Sequence, residues 1–306
     1  MSDVYVLGGM NMDYVLSLPK LPDKGETVKG SELLINPGGK GGNQAVAGAK
    51  LGGSVYMMSN VGDDAIGQQL LNSMEGYGVK TDYVGVLETE HSGTALIFVD
   101  PEGENMIGFS PGAAAKIDEG SIEKALSSAG EGDVFLSGLE PPVSKVNYAA
   151  RTAAKNGMEV ILNPAPAQDI PKDELFQFAD VLTPNQTEAS ALLDTKIESV
   201  DDALSEGKTF LDWGIGTAVI TLGSDGSVVI NDRVHKHFPA QKLSDEVVDT
   251  TGAGDAFNAA IAVYLARQSN ISKAVTFANK VAGLTVIKQG AQKALPTYEE
   301  VQEKRE

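Results

Sequence analysis

From Val247 to Asp255 the chain reads Val-Val-Asp-Thr-Thr-Gly-Ala-Gly-Asp, and residues 256–266 that follow are apolar on every side. Phe257, Ile261, Val263 and Leu265 leave no polar stripe on a 3.6-residue period, so a helix here must be buried. The β-type run before the glycines predicts a strand that feeds this helix through a tight turn. Backbone N–H groups are unpaired at such a point, and the helix dipole favours negative charge. The amides of Gly252, Ala253 and Gly254 therefore suit a phosphoryl group in transfer, with Asp255 beside it to take a proton from an attacking hydroxyl. Taken alone, the same residues also suit a plain helix start with Asp255 as its N-cap.

The 306 residues are 42% hydrophobic, enough to bury about three-quarters of the unfolded surface in an α/β fold of this size. Without cysteine, disulfides and thiolate metal sites are excluded. The formal net charge of −18 disfavours nucleic acid and anionic membranes as partners. An anionic small substrate would have to be held by local devices: glycine amides, a lysine or a cation. The opening residues carry no signal-peptide pattern and no apolar run approaches a membrane span, so a cytoplasmic protein is expected.

Residues 4–7 read as a buried first strand ending in Gly8-Gly9. Asn11 and Asp13 lie just beyond, where open α/β sheets place ligands, and an amide with a carboxylate suits paired sugar hydroxyls. Turn chemistry explains the same pair equally simply. Four glycines surround Lys40 in the run 38–42, ahead of Asn43 and a helical pattern. Such a stretch is costly to order and makes sense where backbone comes close to a ligand, with Gly39, Lys40 and Asn43 as sugar contacts. It is not a Walker A loop, because Gly41 follows the lysine, and no G-x-G-x-x-G follows a strand.

Strand-like runs at 55–58, 134–136, 160–162, 181–182 and 218–221 alternate with helix-like runs at 65–77, 121–128, 143–156, 187–193 and 200–211. The alternation predicts an α/β fold, a doubly wound, mostly parallel sheet flanked by helices, with ligands near the strand ends. Glu140, Asn185, Glu188 and the turn Thr221-Leu222-Gly223-Ser224-Asp225-Gly226 all fall at such ends. Asn185 with Glu188 fits a helix start as well as a seat for hydrated Mg²⁺, and the 221–226 turn suits a nucleotide. Residues 26–35 and 94–109 stand apart from the alternation and predict a small β-sheet, a lid whose apolar face could pair with a second copy. His235 and His237 alternate on one strand face, which suits solvent rather than a metal, and Trp213 reads as packing.

Together these motifs resemble the PfkB (ribokinase) family of carbohydrate kinases over nearly the whole chain, from Gly8 to Pro296. Residues 249–255 are similar to the family's D-T-x-G-A-G-D signature, 185–188 to its N-x-x-E motif, and 163–167 (Asn-Pro-Ala-Pro-Ala) to another typical stretch. The resemblance implies one α/β domain over 1–306 with lid strands in about 12–37 and 91–109, and ATP-dependent phosphorylation of D-ribose at O5. It implies Asp255 as base, Gly252, Ala253 and Gly254 as anion hole, and Asn11, Asp13, Gly39, Lys40, Asn43 and Glu140 around the sugar. It places the nucleotide along 221–226 with Asn185, Gly254 and Asn279, and Mg²⁺ near Asn185 and Glu188. It puts K⁺ among Asp249, Thr251, Thr285, Lys288, Gly290 and Ala294, mostly through carbonyls; members of the family can carry Ser at the last position. A homodimer through the lid strands is implied as well. The alternatives are another kinase of the family, acting on deoxyribose, fructose or a nucleoside, and a sugar-binding regulator without chemistry. A nicotinamide oxidoreductase is disfavoured by the missing glycine fingerprint.

Overall fold

A computed structural model of the chain describes residues 2–167, 175–241, 246–268 and 270–303. The first strands are β1 (Asp3–Leu7), β2 (Asn11–Ser17), β3 (Glu32–Gly38), β4 (Ser54–Gly62), β5 (Lys80–Leu87), β6 (Gly93–Val99) and β7 (Asn105–Ser110). Next come β8 (Val134–Ser137), β9 (Glu159–Leu162), β10 (Val181–Leu182), β11 (Thr217–Thr221), β12 (Ser227–Ile230) and β13 (His235–Phe238). Nine of them form one sheet in the order β13-β12-β11-β10-β9-β8-β1-β4-β5, parallel from β5 to β11 and antiparallel at β12 and β13.

The two-residue period of the strands divides their side chains between two cores. Val4 and Val6 enter one, with Val134, Leu136 and Val219; Tyr5 and Leu7 enter the other, with Phe135, Leu162 and Ile220. On the first face lie α1 (Lys40–Lys50) and α2 (Ala65–Gly76); α3 (Glu119–Leu126), α4 (Val143–Lys155), α5 (Gln186–Leu193), α6 (Val200–Glu206) and α7 (Thr209–Asp212) cover the second. The first face also carries α8 (Ala253–Leu265) and α9 (Ile271–Val286), and α10 (Tyr298–Glu303) follows. The all-apolar run at 256–266 is α8, buried from Asp255 to Val263 between α1, α9 and the sheet. Trp213 packs on the rings of Phe176 and Phe210.

Two expectations need correction. Residues 246–250 form no strand, and Val247 and Val248 are exposed; the glycine turn is fed by a loop pinned through the Val248 and Asp249 amides on the Val286 carbonyl. The helix expected at 200–211 divides at Gly207, where a Cβ would stand 2.4 Å from Ile230 Cδ1, because the chain lies directly on β12.

The small sheet runs β3-β2-β6-β7, with β2 and β6 parallel and both outer pairs antiparallel. Asp100-Pro101-Glu102-Gly103 makes its hairpin, with Asp100 Oδ1 accepting from the Glu102 and Glu104 amides. Asn11 and Asp13 sit on β2 itself, one step after the first strand crosses from the large sheet through Gly8, Gly9 and Met10.

Candidate active site

The carboxyl ends of the parallel strands meet the small sheet at a frame built on Glu140. Its Oε1 accepts from Lys40 N (3.0 Å), and its Oε2 accepts from Gly9 N and Gly41 N (both 3.1 Å). Three charge-assisted bonds tie the end of β1 to the start of α1. The glycines are needed for that approach: a Cβ on Gly8 would lie 2.5 Å from Gly41 Cα, and one on Gly39, at φ 86°, 2.5 Å from the Gly9 carbonyl. A carboxylate has about four acceptor sites, so Glu140 keeps one for a ligand. Opposite, Asn11 Nδ2 donates to Asp13 Oδ1. Burial first, then the Glu140 charge, push the Asp13 carboxyl up to about 6 against the Asn11 bond.

Asp255 lies in the first turn of α8, 6% exposed. Consecutive residues of α1 hold its two oxygens: Asn43 Nδ2 donates to Oδ2 (2.9 Å) and Gln44 Nε2 to Oδ1 (3.4 Å). Burial raises its pKa to about 6; Lys40, Asn43 and Gln44 pull it down, and Glu140 adds to the rise. The carboxylate is thus mostly ionised at neutral pH and close enough to it to exchange a proton.

Two cavities meet beside this residue, which lines the first of them. One, of about 780 Å³, is polar on its floor (Asn11, Asp13, Lys40, Glu140, Asp255) and roofed by Ala95, Ile97, Ile107 and Phe109 of the small sheet. The other, of about 510 Å³, runs from Thr221, Gly223, Ser224 and Gly226 to an apolar wall of Ala282, Val286 and Ile287. Thr221, Thr250, Gly254 and Phe257 line both, so the cavities join at the glycine turn. Gly252 has φ 79°, and a Cβ on Gly254 would meet nothing within 4 Å, which leaves the backbone there open to a ligand.

The profile described as pfkB family carbohydrate kinase matches residues 1–298. The chain belongs to that family. It is 40% identical over 303 residues to a ribokinase of Bacillus subtilis, covering 99% of each, and 38% identical over 301 residues to one of Haemophilus influenzae, covering 97% of this chain and 96% of the relative. Among solved structures, an Arabidopsis thaliana ribokinase complexed with ribose and ATP superposes with a TM-score of 0.91 at 30% identity, over 99% of this chain and 98% of that one.

Within the kinase, several expected residues serve the frame. Leu222 is buried in the second core and does not line the cavity; Asp225 also lies outside it, its carbonyl bonded to the His237 ring. The Asn279 amide lines the cavity but is held by Ser227 Oγ and the Phe238 carbonyl. Ala253 N–H closes a turn on the Thr250 carbonyl (3.2 Å), which leaves the Gly252 and Gly254 amides as the better anion donors. Asn185 and Glu188 form a capping box, each accepting from the other's backbone N–H at 2.8 and 2.9 Å. Both still line the cavity of about 780 Å³. Burial raises the Glu188 carboxyl, opposed by the Asn185 amide and Lys40.

Among the described residues no three His, Cys, Asp or Glu cluster to hold a metal. One buried carboxylate and an amide at 185–188 fit a hydrated Mg²⁺ carried on phosphates. At the proposed K⁺ loop, Asp249 accepts from Thr251 N and Gly290 N, both 2.9 Å. Burial pushes this carboxyl up, but the Thr251 side chain and the two amides outweigh it and hold it below the usual range. Lys288 Nζ is turned to Glu300 and Thr285 Oγ1 to the Val281 carbonyl, so these two residues can offer only their backbone oxygens there. An ionised carboxylate with carbonyl oxygens suits a monovalent cation. Sequence reasoning missed Gln44, Asn258 and the α9 wall; the adjacent small residues Ala282 and Gly283 were the available signal for the last.

Proposed function

We propose that this kinase transfers the γ-phosphoryl group of ATP to the 5-hydroxyl of D-ribose. The observation that carries this reading is the position of Asp255, a buried carboxylate that lines the polar-floored cavity next to Gly254, where that cavity joins the second one with its apolar wall. The relatives named ribokinase, one complexed with ribose and ATP, support the choice of substrates.

Asn11, Asp13, the Gly39 backbone, Lys40 and the spare lone pair of Glu140 orient the ring hydroxyls, and Asn43 steadies the base. Asp255 accepts the O5 proton as the O5–P bond forms. The bond from phosphorus to the bridging oxygen breaks, and ADP leaves with that electron pair. Backbone amides at Gly252 and Gly254 stabilise charge on the equatorial oxygens. Nucleotide lies along Thr221, Gly223, Ser224 and Gly226 towards the α9 wall. Asn185 and Glu188 would hold a hydrated Mg²⁺ that would neutralise phosphate charge, and the Asp249 loop would hold a K⁺ that would steady the anion hole.

On the side turned away from the cavity the lid strands expose Leu33, Ile35, Leu96 and Met106, an apolar face that we assign to a homodimer of this chain, acting in the cytoplasm where ATP is plentiful. Solution scattering measures the assembly. ADP release over a panel of ribose, deoxyribose, fructose and nucleosides, with and without K⁺, tests the reaction. Ribose is expected to give the highest kcat/KM and K⁺ to raise it; a tenfold preference for another sugar overturns the assignment.

A further inference from the structure

Gln44 is fully buried, yet only half of its amide is satisfied. Nε2 donates to Asp255 Oδ1 at 3.4 Å, while Oε1 is enclosed without a partner. A buried acceptor left unpaired costs stability, and an apolar side chain of the same shape would avoid that cost. Apart from Asn43, the other buried residues of α1 are apolar or glycine: Gly41, Gly42, Ala45, Val46, Ala47 and Gly48. A glutamine here gains nothing for the core; its useful contact is with the Asp255 carboxylate. Asn43 approaches the other oxygen from the preceding position, so the N-terminal part of α1 grips the carboxylate from two directions about 100° apart around the helix.

We infer that Gln44 is a positioning residue for Asp255: it fixes the carboxylate's direction and favours its ionised form, at a cost to the stability of the fold. Nothing in Gln44 touches the sugar cavity, which Asn43 and Asp255 line and Gln44 does not. The charged groups acting on Asp255 are Lys40 from the start of α1 and Glu140 from the loop after β8. Both remain in place when residue 44 changes, so an altered titration reports on Gln44 itself. A hydrogen bond to an ionised carboxylate favours that form, and its removal shifts the titration upward.

This inference rests on Asp255 being the base, and its test separates the two. The pH dependence of kcat/KM is measured with ribose and ATP for the native enzyme, Gln44→Met and Gln44→Glu, alongside thermal unfolding. Native enzyme is expected to lose activity below an acid limb near pH 6. In Gln44→Met the limb moves up by about half a unit or more, the deficit shrinks as pH rises, and the melting temperature does not fall. In Gln44→Glu the added carboxyl moves it further. An unmoved limb in both variants, or failure of Gln44→Met to fold, overturns the role of Gln44. A native enzyme with no acid limb, or a fully active Asp255→Asn, overturns the base assignment instead.

Discussion

Two carboxylates, Glu140 and Asp255, stand at the same end of the large sheet and are used in opposite ways. Glu140 accepts three backbone N–H groups from two separate segments, and its work is to hold Gly9, Lys40 and Gly41 in one place. Asp255 receives no such backbone clamp; two side-chain amides aim it, and burial raises it to about 6. A carboxylate clamped by three backbone amides acts as a strut with one acceptor site to spare, whereas one held by two side chains at a cavity wall is free to take a proton.

The contrast breaks most sharply under Asp255→Asn. We expect kcat to fall by about 10²-fold or more with ribose and ATP affinities retained, measured by steady-state kinetics and calorimetry. Stability should not suffer. A folded pKa near 6, above the usual 3.8, means the native state binds this proton more tightly than the unfolded chain. The contribution of Asp255 is therefore greatest at acid pH and declines as pH rises from about 4 to 6. An uncharged asparagine escapes that penalty at pH 7, so the melting temperature there should not drop.

Glu140→Ala is expected to do the reverse, lowering stability by about 3 kcal/mol through three orphaned amides and raising KM for the sugar, as denaturant titration and kinetics will show. The native pH–rate profile sharpens the comparison: kcat/KM should fall about tenfold per unit below pH 6, with Asp13, also near 6, steepening the limb. The smallest effect is expected at the 185–188 turn. Asn185→Ala removes the cap and should cost about 1 kcal/mol in thermal unfolding; a loss of Mg²⁺ dependence on top of that would give the pair a role in metal binding.

Much of this was legible from residue types alone. The alternation of strands and helices, the isolated hairpin at 100–103 and the glycines around Lys40 each state a local rule that the fold obeys. What escaped is set by tertiary neighbours. Val247 and Val248 look like a strand, but among the described residues no strand pairs with them and both side chains are exposed. Gln44 looks like an ordinary helix residue until α8 brings Asp255, 211 positions away in the chain, against it. The Asn185–Glu188 motif fits a cap and a metal seat equally well, because one geometry serves both.

The central claim is tested most directly by a crystal structure of the enzyme with D-ribose, Mg²⁺ and a non-hydrolysable ATP analogue. The account places an Asp255 carboxylate oxygen within about 3.2 Å of ribose O5, on the side away from the leaving group and with the γ-phosphoryl against the Gly252 and Gly254 amides. O5 directed away from Asp255 in the closed complex, or held by another acid or base, would contradict it.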